Sequence, residues 1–127
     1  MSINAGNLEH AHTDNRRVIL EYNFPTSSVQ QFFIKAAIPL GNHYHKKRQE
    51  TFVITSGEGK CVYLPLNKHE EPQGAPVVLH VKQGSVIQIM PFTAHAFLLE
   101  PKSTMMCFSS IPFDPENPDM FAYRLEI

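Results

Sequence analysis

Gly41-Asn42-His43-Tyr44-His45-Lys46-Lys47-Arg48-Gln49-Glu50-Thr51-Phe52-Val53-Ile54-Thr55-Ser56-Gly57 is the stretch on which the reading of this chain turns. On an extended strand His43 and His45 point to the same face, because side chains alternate with a period of two. Glu50 follows and opens the apolar run Phe52-Val53-Ile54, which reads as the next strand. His95, far along the chain, supplies another imidazole. Three imidazoles and a carboxylate on facing strands form a donor set suited to a borderline divalent ion.

The surroundings of that stretch are those of an all-β protein. Ten prolines and six glycines punctuate 127 residues, and no segment sustains a helical period. Short alternating runs recur at Arg17–Phe24, Val29–Ile38, Glu50–Thr55, Lys60–Leu64, Val77–Val81, Ser85–Met90, His95–Leu99 and Thr104–Ser109. Strands at this spacing predict a closed barrel or a two-sheet jelly roll. Ser56-Gly57-Glu58-Gly59 reads as a tight hairpin turn, and residues 67–75, with Pro72 and Gly74, as a surface loop. A single domain is expected at this length. Residues 1–15 form its polar N-terminal arm, 16–110 its barrel and 111–127 a Pro-rich tail. Pro112, Pro115 and Pro118 exclude a central strand in the tail. Met120–Ile127 reads as a last strand or an arm packing on a partner subunit.

Charge and composition narrow the function. The net charge is −1 with acids and bases mixed, which gives no electrostatic case for nucleic acid. No apolar run approaches the length of a membrane span, and the polar start lacks the core of a leader peptide. Cys61 and Cys107 sit within apolar runs, and the expected setting is cytoplasmic with reduced, packed thiols. His10, His12, His69 and His80 carry no comparable spacing, and His10 and His12 are expected in solvent.

His43, His45, Glu50 and Gly57 follow the spacing of the first motif of the cupin superfamily, and the chain resembles a small single-domain cupin. Gly84 and His95 keep the separation of the second motif, although Met90, Phe92 and Leu99 stand where its proline, glycine and asparagine belong. The resemblance implies a double-stranded β-helix, a jelly-roll barrel, with one divalent ion (zinc, manganese, iron or nickel) held by His43, His45, Glu50 and His95 at its mouth. Three further stretches are similar to dTDP-keto-sugar isomerases and to the cupin domains of capsule-sugar reductases: Asp14-Asn15-Arg16-Arg17, Gly41 to Lys47, and Pro91-Phe92-Thr93-Ala94-His95. They imply an isomerase or epimerase acting on a keto-sugar nucleotide or similar small carbonyl substrate. His43 or His45 would be the catalytic base, and Arg16, Lys46, Lys47 and Arg48 would bind the substrate phosphates. An iron-dependent dioxygenase uses the same ligand set, and a non-catalytic small-ligand-binding cupin is a further alternative. Single-domain cupins commonly pair, so a homodimer is expected.

Overall fold

The computed structural model describes residues 2, 3, 5 and 10–127, His10 by its backbone. The other residues of the expected N-terminal arm lie outside that description. Among the described residues the elements are all strands: β1 (His10–Thr13), β2 (Arg17–Asn23), β3 (Ser28–Ile34), β4 (Leu40–Tyr44), β5 (Glu50–Ser56), β6 (Glu58–Pro65), β7 (Val77–Lys82), β8 (Val86–Ile89), β9 (Thr93–Leu99), β10 (Thr104–Ser109) and β11 (Phe121–Ala122). They pair antiparallel into a six-stranded sheet, β1-β2-β3-β10-β5-β8, and a five-stranded sheet, β11-β4-β9-β6-β7. Among the described residues no helix is long and apolar enough to cross a membrane.

Apart from β1-β2-β3 and β6-β7, which fold back within one sheet, the chain winds between the sheets. Strands β3 and β4, β4 and β5, β5 and β6, β7 and β8, and β9 and β10 each lie in different sheets. The hairpin expected at Ser56–Gly59 is therefore absent: β5 pairs with β8 and β10, and β6 with β7 and β9. Alternation alone cannot tell a hairpin from a sheet-to-sheet corner, since both keep the period of two. Gly57 makes this corner with φ +84°, and a Cβ there would stand 2.1 Å from Ser103 Oγ and 2.8 Å from Ser103 Cα. Both the left-handed backbone and the close approach require glycine.

Inward-facing residues of both sheets form one core. Ile19, Phe32, Phe52, Ile54, Ile87, Phe97, Leu99, Met105 and Cys107 are all buried there. In β5 the alternation works as expected, with Glu50, Phe52 and Ile54 inward. Strand β9 is buried on both faces, and the tail is the reason. Leu125 joins Tyr44, Val62, Leu64, Ala94 and Ala96 in a second cluster on the back of the five-stranded sheet, with Phe121, Tyr123 and Ile127 packed against it. The alanines of β9 leave room for this covering layer. The tail thus packs on its own chain, with β11 as an edge strand paired to β4. Asn42 anchors it by accepting from Tyr123 N–H and Leu125 N–H, each at 2.8 Å. The first strand likewise pairs with its own β2. Both thiols are buried and unpaired.

Replacing Gly57 by alanine is expected to destabilise the fold by about 2–4 kcal/mol, the combined cost of a left-handed non-glycine residue and of overpacking. Urea unfolding of the two proteins measures the difference, and an unchanged midpoint would contradict this account of the corner.

Candidate metal centre

The site begins with a fault in the ladder between β4 and β9. The register shifts between Gly41 and His43, and Asn42 takes φ +57°. The bulge sets His43 directly opposite His95. Their rings meet edge to face with centroids 4.8 Å apart, and the His45 ring lies 4.9 Å from that of His43. Tyr44, of opposite parity, points into the tail cluster, where it stacks with Phe121 at 5.4 Å. From the facing sheet, the first residue of β5 brings Glu50. One ligand atom from each of His43, His45, Glu50 and His95 lies within 4.8 Å of all the others.

Hydrogen bonds fix the imidazole orientations. The carbonyl of Asp119 accepts from His45 Nδ1, and that of Thr93 accepts from His95 Nδ1 at 3.0 Å. A carbonyl cannot donate, so the proton of each neutral ring sits on Nδ1 and the lone pair on Nε2. Those lone pairs face a carboxylate: Glu50 Oε1 lies 2.9 Å from His45 Nε2 and 3.5 Å from His95 Nε2. All three atoms are buried without a hydrogen-bond partner. Buried acceptors facing one another repel, and such orphaned groups are costly. A divalent cation satisfies all of them together, with ligand distances of about 2.0–2.2 Å. The residues therefore fit a metal.

The charges of His43, His95 and Glu50 agree with that assignment. Burial, followed by the neighbouring His95 and His45, pulls the His43 pKa down to about 3. Burial also lowers that of His95, against the pull of Glu50. Both rings keep their lone pairs free at neutral pH. At His45 burial opposes the charged form, but the Glu50 carboxylate outweighs it and raises the pKa, so without an ion Nε2 competes for a proton shared with Glu50 Oε1, and a bound cation takes the place of that proton. Burial pushes the Glu50 carboxyl up, yet His45, His95 and His43 outweigh it and hold the group at about 2. Cys107 supports the carboxylate from β10, its Sγ donating to Glu50 Oε2 at 3.4 Å. This leaves Oε1 aimed at the imidazoles.

The loop between the ligands is held by the tail. The Asp119 carboxylate accepts from the backbone N–H groups of Lys46, Lys47 and Arg48, each at 2.8 Å. Burial raises its pKa and these three bonds lower it, with lowering the net result. One residue thus caps the loop with its side chain and orients His45 with its carbonyl. No sequence signal marked it, because Asp119 lies in a segment without strand periodicity. A signal did exist at Phe92. It takes φ +59° where the cupin motif has glycine, so the turn keeps its left-handed conformation although the permissive residue is gone. Its N–H donates to the His45 carbonyl at 2.7 Å, and its ring lies 6.2 Å from that of Tyr44.

The cluster lines a cavity of about 250 Å³ walled by Ile19, Phe32, Phe52, Phe97 and Met105. Of the cations expected to bind substrate, Arg48 lines this cavity; Arg16, Lys46 and Lys47 do not. Arg16 Nη2 lies 3.3 Å from Asp14. Lys46 pairs with Glu70 at 2.7 Å and lies over the Phe121 ring, and Lys47 is exposed. Arg17, one residue on from Arg16, faces the cavity in its place. His12, expected in solvent, also lines it. It is half exposed, with Nε2 3.1 Å from Asp14 Oδ2. The short pairing of β1 with β2 brings it there, which the polar composition of the arm did not reveal.

Residues 12–121 match the family of the polysaccharide biosynthesis C-terminal domain. The chain belongs to that family. No curated protein matches it. Among solved structures, the capsular polysaccharide assembling protein CapF from Staphylococcus aureus is similar with a TM-score of 0.81 and 21% identity, over 95% of this chain and 33% of that one. An oxalate decarboxylase of Lactobacillus farciminis, solved as a formate complex, gives 0.69 and 13%, over 95% of this chain and 37% of that one. Streptomyces PAC13, solved with uridine, gives 0.65 and 13%, over 93% of this chain and 87% of that one. This polysaccharide biosynthesis C-terminal domain spans about a third of the length of the CapF chains it matches. Its fold is that of the cupin superfamily, as the spacing of His43, His45, Glu50 and Gly57 implied.

Substituting Asp119 by alanine removes the loop cap but keeps the carbonyl that meets His45. Metal affinity is expected to fall by about tenfold or more, the usual loss when groups orienting ligands are removed. Competition with a chromophoric chelator measures it, and wild-type affinity would show that the cap is dispensable.

Proposed function

We propose that this protein is a metal-dependent isomerase or epimerase acting on a keto-sugar nucleotide or a similar small carbonyl compound. The observation that carries the reading is the meeting of His45 Nε2, His95 Nε2 and Glu50 Oε1, all buried and unpartnered, inside a cavity of a polysaccharide biosynthesis domain. His43, His45, Glu50 and His95 would hold one divalent ion, zinc, manganese, iron or nickel. When bound, such an ion acts as a Lewis acid that polarises a carbonyl and stabilises adjacent negative charge.

The remaining requirement is a group that takes the proton next to that carbonyl. A nitrogen that ligates an ion cannot also accept a proton, so His43 and His45 are poorly placed for both roles. His12 lines the same cavity outside the ligand set, and Asp14 beside it can orient the ring. We assign it proton removal, the usual work of an imidazole near neutral pH. The apolar walls would limit access of water to the reacting carbon.

Solvent-deuterium exchange into nucleotide-linked keto-sugars, followed by mass spectrometry, tests the reading. The metal-loaded protein is expected to catalyse exchange. His12→Gln should lose most of it with metal content intact, whereas Glu50→Gln should lose the metal as well. Absence of exchange across a nucleotide-sugar panel, or iron content with oxygen uptake, would overturn the assignment and favour a dioxygenase.

We further propose a cytoplasmic homodimer. The outer face of the six-stranded sheet supports it: Phe33, Phe108 and Val86 are 42%, 47% and 64% exposed, an apolar surface of the kind that marks interaction sites. The buried, unpaired thiols are in keeping with a reducing compartment. Light scattering on the eluted protein should give twice the 14.4 kDa chain mass; a monomer would refute the dimer.

A further inference from the structure

Two guanidinium groups open onto the cavity of the candidate metal centre, and each has a buried nitrogen without a partner. Arg48 is 5% exposed. Its Nη2 reaches the Pro112 carbonyl only at 3.4 Å, its Nε has no hydrogen-bond partner, and the Phe113 ring lies 6.0 Å from the guanidinium carbon. Arg17 meets Asp14 through Nη1 at 3.2 Å, while its Nε is also buried and unpartnered. Both line the cavity. A buried cation is tolerated only when its donors are met.

With a divalent ion bound, the charge of the cavity favours an anion beside these guanidinium groups. Its lining carries Arg17 and Arg48 against two carboxylates, Glu21 and Glu50. Glu21 already accepts from Gln30 at 2.9 Å, and Glu50 belongs to the histidine cluster. These four charges balance, and a divalent ion would leave an excess of two positive charges, partly offset by Asp14 behind Arg17. A guanidinium presents a planar fork of N–H donors that matches carboxylate and phosphoryl oxygens. The cavity is small beside the usual range of about 300–1,000 Å³ for ligand sites. It suits the charged, reacting end of a molecule or a compact acid.

We propose that Arg48, supported by Arg17, holds an oxyanion group of the ligand, carboxylate or phosphoryl, inside the cavity beside the metal ligands. The charge excess rests on the metal reading of the site; the burial of Arg48 on the cavity wall with one long side-chain hydrogen bond does not. The ligand is therefore anionic at the end that reaches the ion, not only at a distant mouth.

Calorimetric titration of the apo and zinc-loaded protein with inorganic phosphate, malonate and uridine diphosphate tests this, with metal content measured in parallel. At least one probe should bind the wild type, and the pattern among them separates a phosphoryl source from a carboxylate. Arg48→Gln should weaken that binding by about tenfold or more, the worth of hydrogen bonds to a charged group. Arg48→Lys, which keeps charge without the fork, should recover only part of it, and neither variant should lose metal. Failure of all three probes to bind the wild type, or binding by both variants as tight as wild type, would overturn the proposal. Should Arg48→Gln not fold, Arg48→Lys decides: weaker binding supports the fork, and wild-type binding refutes it. A wild type that takes up no zinc would remove the metal reading, and the apo titration would still decide the role of Arg48.

Discussion

Three buried acceptors facing one another constrain this structure more than any other contact. His45 Nε2 and His95 Nε2 present lone pairs to Glu50 Oε1 because the Asp119 and Thr93 carbonyls take the Nδ1 protons. With both rings neutral, that arrangement repels in a medium where water cannot screen it, and either a proton on His45 Nε2 or a cation relieves it. It persists because each member is held from outside the cluster. The bulge at Asn42 places His43 opposite His95, and Cys107 donates to the far oxygen of Glu50. The surrounding strands thus hold together a cluster of nitrogen and oxygen donors suited to a cation.

The Pro-rich tail is part of that maintenance. It covers the back of the five-stranded sheet through Phe121, Tyr123 and Leu125, and through Asp119 it caps the loop between the ligands. Phe113 and Met120 extend it onto the cavity wall. A segment with little regular structure thereby links the second apolar cluster to the metal centre. Partial burial of its aromatic residues Phe121 and Tyr123, with full burial of Leu125, helps keep Asp119 in place. The stability of the tail and the geometry of the site are coupled.

Much of the candidate site was legible because metal ligation has strict geometric needs. Two histidines separated by one residue share a strand face, and a carboxylate at the head of the next strand shares its parity with Phe52 and Ile54. Those facts survive in one dimension. The roles of the neighbouring cations did not. Lys46, Lys47 and Arg48 are consecutive and equally basic, yet Arg48 turns inward while Lys46 reaches Glu70. Arg16 and Arg17 differ by a single step of strand parity, and the inward member is Arg17. His12 was hidden by the polar composition of its segment, and Asp119 by the absence of any period around it.

The sequence by itself determined the all-β class, the inward parity of Glu50, Phe52 and Ile54 and the shared face of His43 and His45, because alternation and short spacing are local properties, and the resemblance to the second cupin motif added His95. It also marked a turn at Gly57, though as a hairpin and not as a corner. Only the tertiary structure decided that this corner joins two sheets, that Phe92 keeps a glycine-like turn, and that the tail returns to its own chain. It alone brought Asp119, Cys107, His12 and Arg17 to the centre. Those placements depend on strand pairing between distant segments, and a linear pattern with a period of two does not record which strand lies across from which.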